Sequence, residues 1–331
     1  MQAIVIKKFG NALEVFEKTE VPVPDISAGE ILVKVHTTSV NPVDYKIRSG
    51  ELAGLAPAFP AVLHGDVSGV VEKVGGGVTH VKPGDKVYGC AGGLAGFHGA
   101  LAEYMKGDAR LFAPLPKDAD LSEHGALPLV GITAYEAIFE RTNVQPREKV
   151  LIYGGTGGVG HLGIQFAKLA GATVYATVAN EEQAAIATSL GADAVIYFQK
   201  EPVAEFVKKH TQGVGFDVVF DTVGNQNLHN SLEAVKVSGR VVTTLALANV
   251  DLSTAHVKGV DFHIVFMLIP MLHNLGRERH TTILADIARW ASEGKIKPLI
   301  DKNRFNFSQV GQAHQHAESG KATGKVIITQ A

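Results

Sequence analysis

The stretch Lys149-Val150-Leu151-Ile152-Tyr153-Gly154-Gly155-Thr156-Gly157-Gly158-Val159-Gly160-His161 decides how the chain is read. Val150 to Tyr153 is a short apolar run, as a buried strand requires, and a helix is predicted from about Val159 to Leu169. Between them Gly155-Thr156-Gly157-Gly158-Val159-Gly160 fits G-x-G-x-x-G. The strand before and the helix after raise this pattern above a flexible glycine turn. Small residues let the backbone approach a pyrophosphate, and the helix start offers unpaired N–H groups and the positive end of a dipole. Gly155, Thr156, Gly157, Gly158, Val159 and Gly160 are therefore candidates for holding a dinucleotide.

Working outward, the same alternation recurs. Thr173 to Val178 leads to a helix over Glu181–Leu190, and Ala194-Val195-Ile196 to one near Glu201–His210. Asp217 to Phe220 precedes another near Gln226–Lys236, and Arg240 to Leu245 follows. Strands apolar on nearly every residue, alternating with helices, imply a parallel sheet covered on both faces. The second of these strands ends Val178-Ala179-Asn180, with no acid until Glu181. An acid there would bind a ribose 2′-hydroxyl, so its absence favours a 2′-phosphate and hence NADP, held near Asn180.

Upstream, Ile31–Val35 and Val67–Val71 are β-branched runs punctuated by Gly75-Gly76-Gly77 and Pro83-Gly84-Asp85, which reads as strands and turns. Ser122 is expected to cap a helix carrying Ala126, Leu127, Val130, Ala134, Ala137 and Ile138. Downstream lie a helix over roughly Arg279–Glu293 and one last strand at Val326-Ile327-Ile328. A single strand is too little for a third domain, so it is expected to rejoin the amino-terminal β-rich region.

The 331 residues suffice for about two domains. Apolar residues make up 46% and charged residues 19%, which excludes a disordered chain. Lys and Arg total 31 against 33 Asp and Glu, without a basic patch, so no nucleic-acid partner is expected. Cys90 is the only cysteine, which excludes an intrachain disulfide and a cysteine metal cluster. The longest apolar stretch, Val260–Leu272, is broken by Asp261, His263 and Pro270 and is too short to span a bilayer. Met1 to Lys8 lacks the order of a signal peptide. A cytoplasmic protein without membrane partners is expected.

Several short motifs, in order, resemble one family. They are Asn41-Pro42-Val43-Asp44, Asp66-Val67-Ser68-Gly69-Val70-Val71 with Val74-Gly75, Val81-Lys82-Pro83-Gly84-Asp85-Lys86-Val87, Gly131-Ile132-Thr133-Ala134-Tyr135, the glycine loop, and Leu190-Gly191-Ala192-Asp193. Over essentially its whole length the chain is similar to the zinc-free medium-chain dehydrogenases/reductases of the quinone oxidoreductase (zeta-crystallin-like) group. The resemblance implies an α/β fold: a doubly wound Rossmann domain over 123–270, and a GroES-like β-rich catalytic domain from 1–122 and 271–331. It further implies NADPH as cofactor and usually a homodimer, here through Val260–Phe266 as an edge strand. Zinc relatives carry Cys where Asn41 stands, His-Glu where Gly65-Asp66 stands, and Cys near Leu129, so no metal is expected. This chain departs from the group at His64-Gly65-Asp66, at Gln183 where a phosphate-binding Lys is usual, and at Tyr197-Phe198.

The resemblance places Asn41 and Tyr45 beside the nicotinamide, with Tyr45 as candidate proton donor and Asn41 holding the nicotinamide or the substrate oxygen. Thr133 near the nicotinamide, Asn180 and Tyr197 near the 2′-phosphate, and Val223, Leu245 and Lys325 complete the expected cofactor contacts. His64 beside Asp66 reads as a turn histidine rather than a catalytic pair, and His161 reads equally well as a residue approaching a phosphate or as an exposed first-turn residue. His314 and Glu318 share a helix face and read as solvated surface. No G-x-S-x-G, H-E-x-x-H or Walker A lysine occurs, which removes hydrolase and nucleoside-triphosphatase readings. The expected activity is zinc-independent hydride transfer from NADPH to a quinone or another α,β-unsaturated carbonyl compound. The alternatives are an enoyl-thioester or alkenal reductase, or an NADPH-binding protein with a mainly structural role.

Overall fold

The β-branched runs of the amino-terminal region become β1 (Gln2–Ile6), β2 (Phe16–Glu20), β3 (Glu30–Ser39), β4 (Asp66–Val74), β5 (Lys86–Cys90), β6 (Tyr104–Asp108) and β7 (Phe112–Pro114). They are seen here in a computed structural model that describes residues 1–330. The alternating region supplies β8 (Lys149–Tyr153), β9 (Thr173–Val178), β10 (Ala194–Tyr197), β11 (Phe216–Asp221), β12 (Val235–Thr243) and β13 (Asp261–Ile264). Two short strands, β14 (Phe305–Asn306) and β15 (Ile327–Thr329), follow near the end. One unit comprises Met1–Leu129, Leu268–Glu293 and 298–330, and the other Val130–Met267 and Gly294–Lys297.

In the first unit the strands run β14-β15-β3-β4-β5-β7, with β6 also on β3 and β1–β2 as a separate pair. The antiparallel β3–β4 ladder sets Val33 opposite Val71 and Val35 opposite Gly69. Gly69 has no room for a side chain, since a Cβ would meet the Lys34 carbonyl oxygen. On the other side of β3, β15 pairs antiparallel with Ile328 opposite Thr38. That pairing brings Lys325 back beside Asn41.

In the second unit all pairings are parallel, in the order β10-β9-β8-β11-β12-β13. The chain starts at β8, builds outward through β9 and β10, then returns to the other side of β8 with β11. The order thus reverses between β8 and β11, where doubly wound sheets open a crevice at the carboxyl ends of their strands. Leu151, Val219, Val241, Phe206 and Phe216 are fully buried and form a core between sheet and helices. Burying each such side chain contributes roughly 1.5–3 kcal/mol.

Three local expectations need correction. Asp120, not Ser122, caps the helix after β7: its carboxylate accepts the Ser122 N–H at 2.7 Å. That helix, Leu121–His124, stops early, and Pro128 opens a new one over Pro128–Tyr135, because proline suits a first turn and not a helix interior. Leu121–His124 therefore stays with the first unit, where Ser68 Oγ donates to the Leu121 carbonyl at 2.5 Å. Gly294–Lys297 goes with the second unit instead of the carboxyl-terminal segment. The Gln165 side chain holds it at both ends of its amide, donating to the Lys297 carbonyl at 2.9 Å and accepting its N–H at 2.7 Å.

Candidate functional site

In the first unit Asn41 is the N-cap of the Pro42–Ser49 helix, with Pro42 at N1 and Gly50 closing it at φ 92°. Tyr45 follows four residues on, which places it on the same side of the first turn. Asn41 is buried, and its backbone N–H donates to Asp44 Oδ2 at 2.7 Å. Its side-chain Nδ2 donates to Asp66 Oδ2 at 2.8 Å, and its Oδ1 accepts from Lys325 Nζ. Lys325 also donates to the Val40 carbonyl at 3.1 Å and lies 3.5 Å from Asp66 Oδ2. Asp66 is completely buried and accepts from Ser39 Oγ at 2.7 Å and from the Leu129 N–H at 2.8 Å. A buried carboxylate survives only when paired and hydrogen-bonded, and here each oxygen is.

The electrostatics follow from this burial. Asp44 is pushed up to about 7, chiefly by desolvation, with Asp66 adding to the rise and the hydrogen bond from Asn41 opposing it. Burial lowers Lys325, against the pull of Asp66 and Asp44. Tyr45 is half-buried, and burial first, then Glu318, raise its hydroxyl above the ordinary tyrosine value. It therefore stays protonated at neutral pH and can donate.

Beside this knot lie His64 and His314, both completely buried, with Nε2 atoms 2.8 Å apart. Thr38 Oγ1 gives its hydrogen to the Asp66 carbonyl at 2.6 Å, so at 3.1 Å it accepts from His64 Nδ1. His64 then has a bare Nε2, which takes the hydrogen of His314 Nε2. Burial pushes His64 down to about 3 and His314 well below its usual value, so both stay neutral at physiological pH. His64 sits at φ 76° in the irregular segment before β4, hydrogen-bonded through its ring to Thr38 and His314 and not to the Asp66 carboxylate. The solvated reading of His314 is wrong: it falls on a buried helix stripe with Val310 and Ala313, and Glu318 on that helix pairs with buried Arg48.

In the second unit the glycine loop joins the carboxyl end of β8 to the helix Gly160–Leu169. A Cβ at Gly155 would lie 2.8 Å from that of Ala176, and one at Gly160 would run into the Gly154 carbonyl. The loop is therefore drawn tight against strand and helix, which only glycine permits, and it fits a pyrophosphate cradle. His161 is completely buried rather than exposed, its Nδ1 3.2 Å from the Gly157 carbonyl, because this helix buries nearly every face.

The other expected contacts of this unit follow the carboxyl ends of the same strands. Asn180, after β9, spends its side-chain oxygen capping the Glu181–Ser189 helix, accepting the Gln183 N–H at 2.9 Å. Tyr197 closes β10, and its hydroxyl donates to Glu181 Oε2 at 2.7 Å. After β11, Asp221 Oδ1 accepts the N–H groups of Val223 and Gly224 at 2.9 and 2.7 Å and leaves Val223 52% exposed. The Leu245 carbonyl, after β12, accepts the Asn225 N–H at 3.1 Å. Thr133 is buried on the Pro128–Tyr135 helix. Motif reading misses Ser39 altogether, and it quotes Asp44, Asp66 and Glu181 without giving them a place in the site. Among the described residues no group of three or more His, Cys, Asp or Glu is placed to hold a metal ion, and no helix is long and apolar enough to cross a membrane.

One unit with a glycine loop at the switch point of a parallel sheet, and another that is a GroES-like β-domain bearing a buried polar site, define a medium-chain dehydrogenase/reductase. Family models agree: "Alcohol dehydrogenase GroES-like domain" matches residues 27–117, and "Zinc-binding dehydrogenase" matches 190–328. A 2-methylene-furan-3-one reductase of Solanum lycopersicum is 34% identical, over 99% of this chain and 79% of its own. A chloroplastic NADPH-dependent alkenal/one oxidoreductase of Arabidopsis thaliana is 33% identical over the same shares, 99% and 79%. The crystal structure of Escherichia coli quinone oxidoreductase complexed with NADPH superposes with a TM-score of 0.88 at 28% identity, covering 99% of this chain and 100% of that one. The chain belongs to the quinone oxidoreductase family of medium-chain dehydrogenases/reductases and is an oxidoreductase.

Proposed function

We propose that the protein reduces quinones and α,β-unsaturated carbonyl compounds with NADPH, without zinc. The observation that carries this reading is the glycine loop at the switch point of the parallel sheet, where the family binds its dinucleotide. The names of the relatives, alkenal/one and quinone oxidoreductases, supply the acceptor class. Gly155 to Gly160 would hold the pyrophosphate, Asn180 and Tyr197 the 2′-phosphate end, and Thr133, Val223 and Leu245 the nicotinamide half. When bound, NADPH supplies the hydride.

The donor set of the first unit explains the acceptor. Asn41 offers an amide, Asp66 a fully bonded carboxylate, and Lys325 a buried ammonium that repels a dication. Such a site suits neither the thiolate nor the imidazole ligation that zinc prefers. Isolated alcohols need a Lewis acid to polarise their oxygen, whereas a conjugated acceptor already spreads developing charge onto its own oxygen. One amide hydrogen of Asn41 is spent on Asp66, and the second is what it has to offer a nicotinamide or substrate oxygen. Tyr45 donates a proton to the forming oxyanion. Lys325 acts here as a positioning residue, since its hydrogens go to Asn41, Val40 and Asp66.

Cytoplasmic location and a homodimer belong to the same proposal. β13 is the sheet's edge, with Ile264 53% exposed, and such an edge invites pairing. Light scattering at micromolar concentration should give twice the chain mass, and a monomer would remove the dimer. The activity is tested by following NADPH loss with a panel of quinones, enones and simple alcohols, using protein freed of metal by chelation. Turnover is expected with conjugated acceptors alone. Efficient oxidation of ethanol-like alcohols, or silence with every conjugated acceptor, would defeat the proposal.

A further inference from the structure

We infer that Glu181 is a cofactor-specificity residue: it takes the Tyr197 hydroxyl and lends the ribose end of the dinucleotide site a negative charge that keeps NADPH and NADH close in affinity. The inference rests on the reading of the second unit as the dinucleotide domain. Its basis is local. In a doubly wound sheet the adenosine ribose lies at the end of the second strand, where a carboxylate accepts from the 2′-hydroxyl and a basic group welcomes a 2′-phosphate. Here that strand is β9, and Glu181 is the first acid after it, on the first turn of the next helix. Its carboxylate is not a bystander, because Tyr197 at the end of β10 donates its hydroxyl to it at 2.7 Å.

The neighbouring groups add little positive charge. The Asn180 side-chain oxygen caps the helix, and Gln183 Oε1 accepts the Ala179 N–H at 2.8 Å, so neither residue brings a cation. Glu182 follows Glu181, and Glu201 is paired with Lys209 at 2.8 Å. Lys200 Nζ lies 5.1 Å from the Tyr197 ring centroid. Counting Glu181, Glu182 and Glu201 against Lys200 and Lys209, one negative charge is left over. A 2′-phosphate dianion is repelled by that excess and must compete with Glu181 for the same hydroxyl, whereas a ribose diol can share it. The carboxylate also holds the hydroxyl in its protonated form, raising Tyr197 above the ordinary tyrosine value.

The test is a fluorescence titration of the full-length protein with NADPH and with NADH, for wild type, Glu181→Gln, Tyr197→Phe and the double variant. Wild type should bind the two nucleotides within about tenfold of each other. Glu181→Gln should tighten NADPH by roughly threefold to tenfold and leave NADH unchanged or slightly weaker, the size expected for one exposed charge facing a dianion. Tyr197→Phe should matter more to NADPH in the Glu181→Gln background than in wild type, since only there is the hydroxyl released; that coupling separates a shared hydrogen bond from bulk charge. Both side chains lie at the surface, so the variants should fold with melting temperatures near wild type, checked alongside. An NADPH-to-NADH affinity ratio in Glu181→Gln within twofold of wild type would overturn the inference while leaving the cofactor assignment standing. Failure of wild type to bind either nucleotide would overturn both.

Discussion

The two units place polar chemistry in opposite settings. In the first, Asn41, Asp66, Lys325, His64 and His314 are between 0% and 3% exposed, with Asn41, Asp66 and Lys325 bonded to one another and His64 to His314. In the second, the candidate groups are a glycine backbone loop and side chains at strand ends, among them the exposed Glu181 and Val223. The first arrangement fixes geometry by burial, so each member also supports folding, and a change there is felt in stability before it is felt in rate. The second is built on a sheet whose core lies elsewhere, so its side chains can be retuned at small cost to the fold. The contrast predicts that substitutions in the buried cluster of the first unit cost more stability than substitutions at the strand ends of the second.

The sharpest way to break this comparison is Lys325→Met. If the knot is a stability element, removing the ammonium leaves Asp66 buried and uncompensated, and about 3–5 kcal/mol of unfolding free energy should vanish in chemical denaturation. Adding Asp66→Asn to the same chain should restore part of it. A loss below about 1 kcal/mol would mean that water reaches the site and that the two units differ less than their burial indicates.

Next in size is Tyr45→Phe, which asks whether the half-buried rim of the knot acts in chemistry and not in binding. As proton donor, Tyr45 should lower kcat by roughly 10²-fold when its hydroxyl is removed, with NADPH affinity nearly unchanged. Because its hydroxyl is raised above the ordinary tyrosine value, kcat should show no alkaline loss below about pH 10 from this group. An unchanged kcat with several acceptors would make Tyr45 a packing residue and solvent the proton source.

What the sequence discloses follows the same division. The second unit is legible because its signals are local: an apolar run, a glycine spacing, the next apolar run. The knot is not, because its members meet across the chain: Asn41 reaches Asp66 over 25 positions and Lys325 over 284. A buried Asp or Lys looks in sequence like a surface one. Asn41 and Asp66 stand out only through motif resemblance, and nothing local shows that Lys325 turns inward. His314 did carry a signal, since Val310, Ala313 and His314 stand at i, i+3 and i+4, an inward stripe that outweighs the polarity of one histidine. Glu181 is legible as an acid near β9, but its tie to Tyr197 needs the parallel pairing of β9 and β10.

The smallest expected effect, and the most specific to burial, concerns Asp44. Its carboxyl is raised from 3.8 to about 7 in the folded protein, first by desolvation and then by Asp66. Between those values the unfolded chain has lost a proton that the folded chain keeps. The folded state therefore binds more protons, and stability falls as pH rises through this window, levelling off above about 7. Asp44→Asn removes the titration and keeps an oxygen to accept the Asn41 N–H. Its stability relative to wild type should therefore rise with pH, by on the order of 1–2 kcal/mol between about pH 5 and about pH 8. The comparison between variants cancels the opposite trend of His64 and His314, which, being lowered, favour the folded state as pH rises toward their unfolded value. Melting curves of both proteins across that range are the measurement. A stability difference that stays flat with pH would show Asp44 ionised at its ordinary value, and the knot would then be wetter than the closed network of Asn41, Asp66 and Lys325 implies.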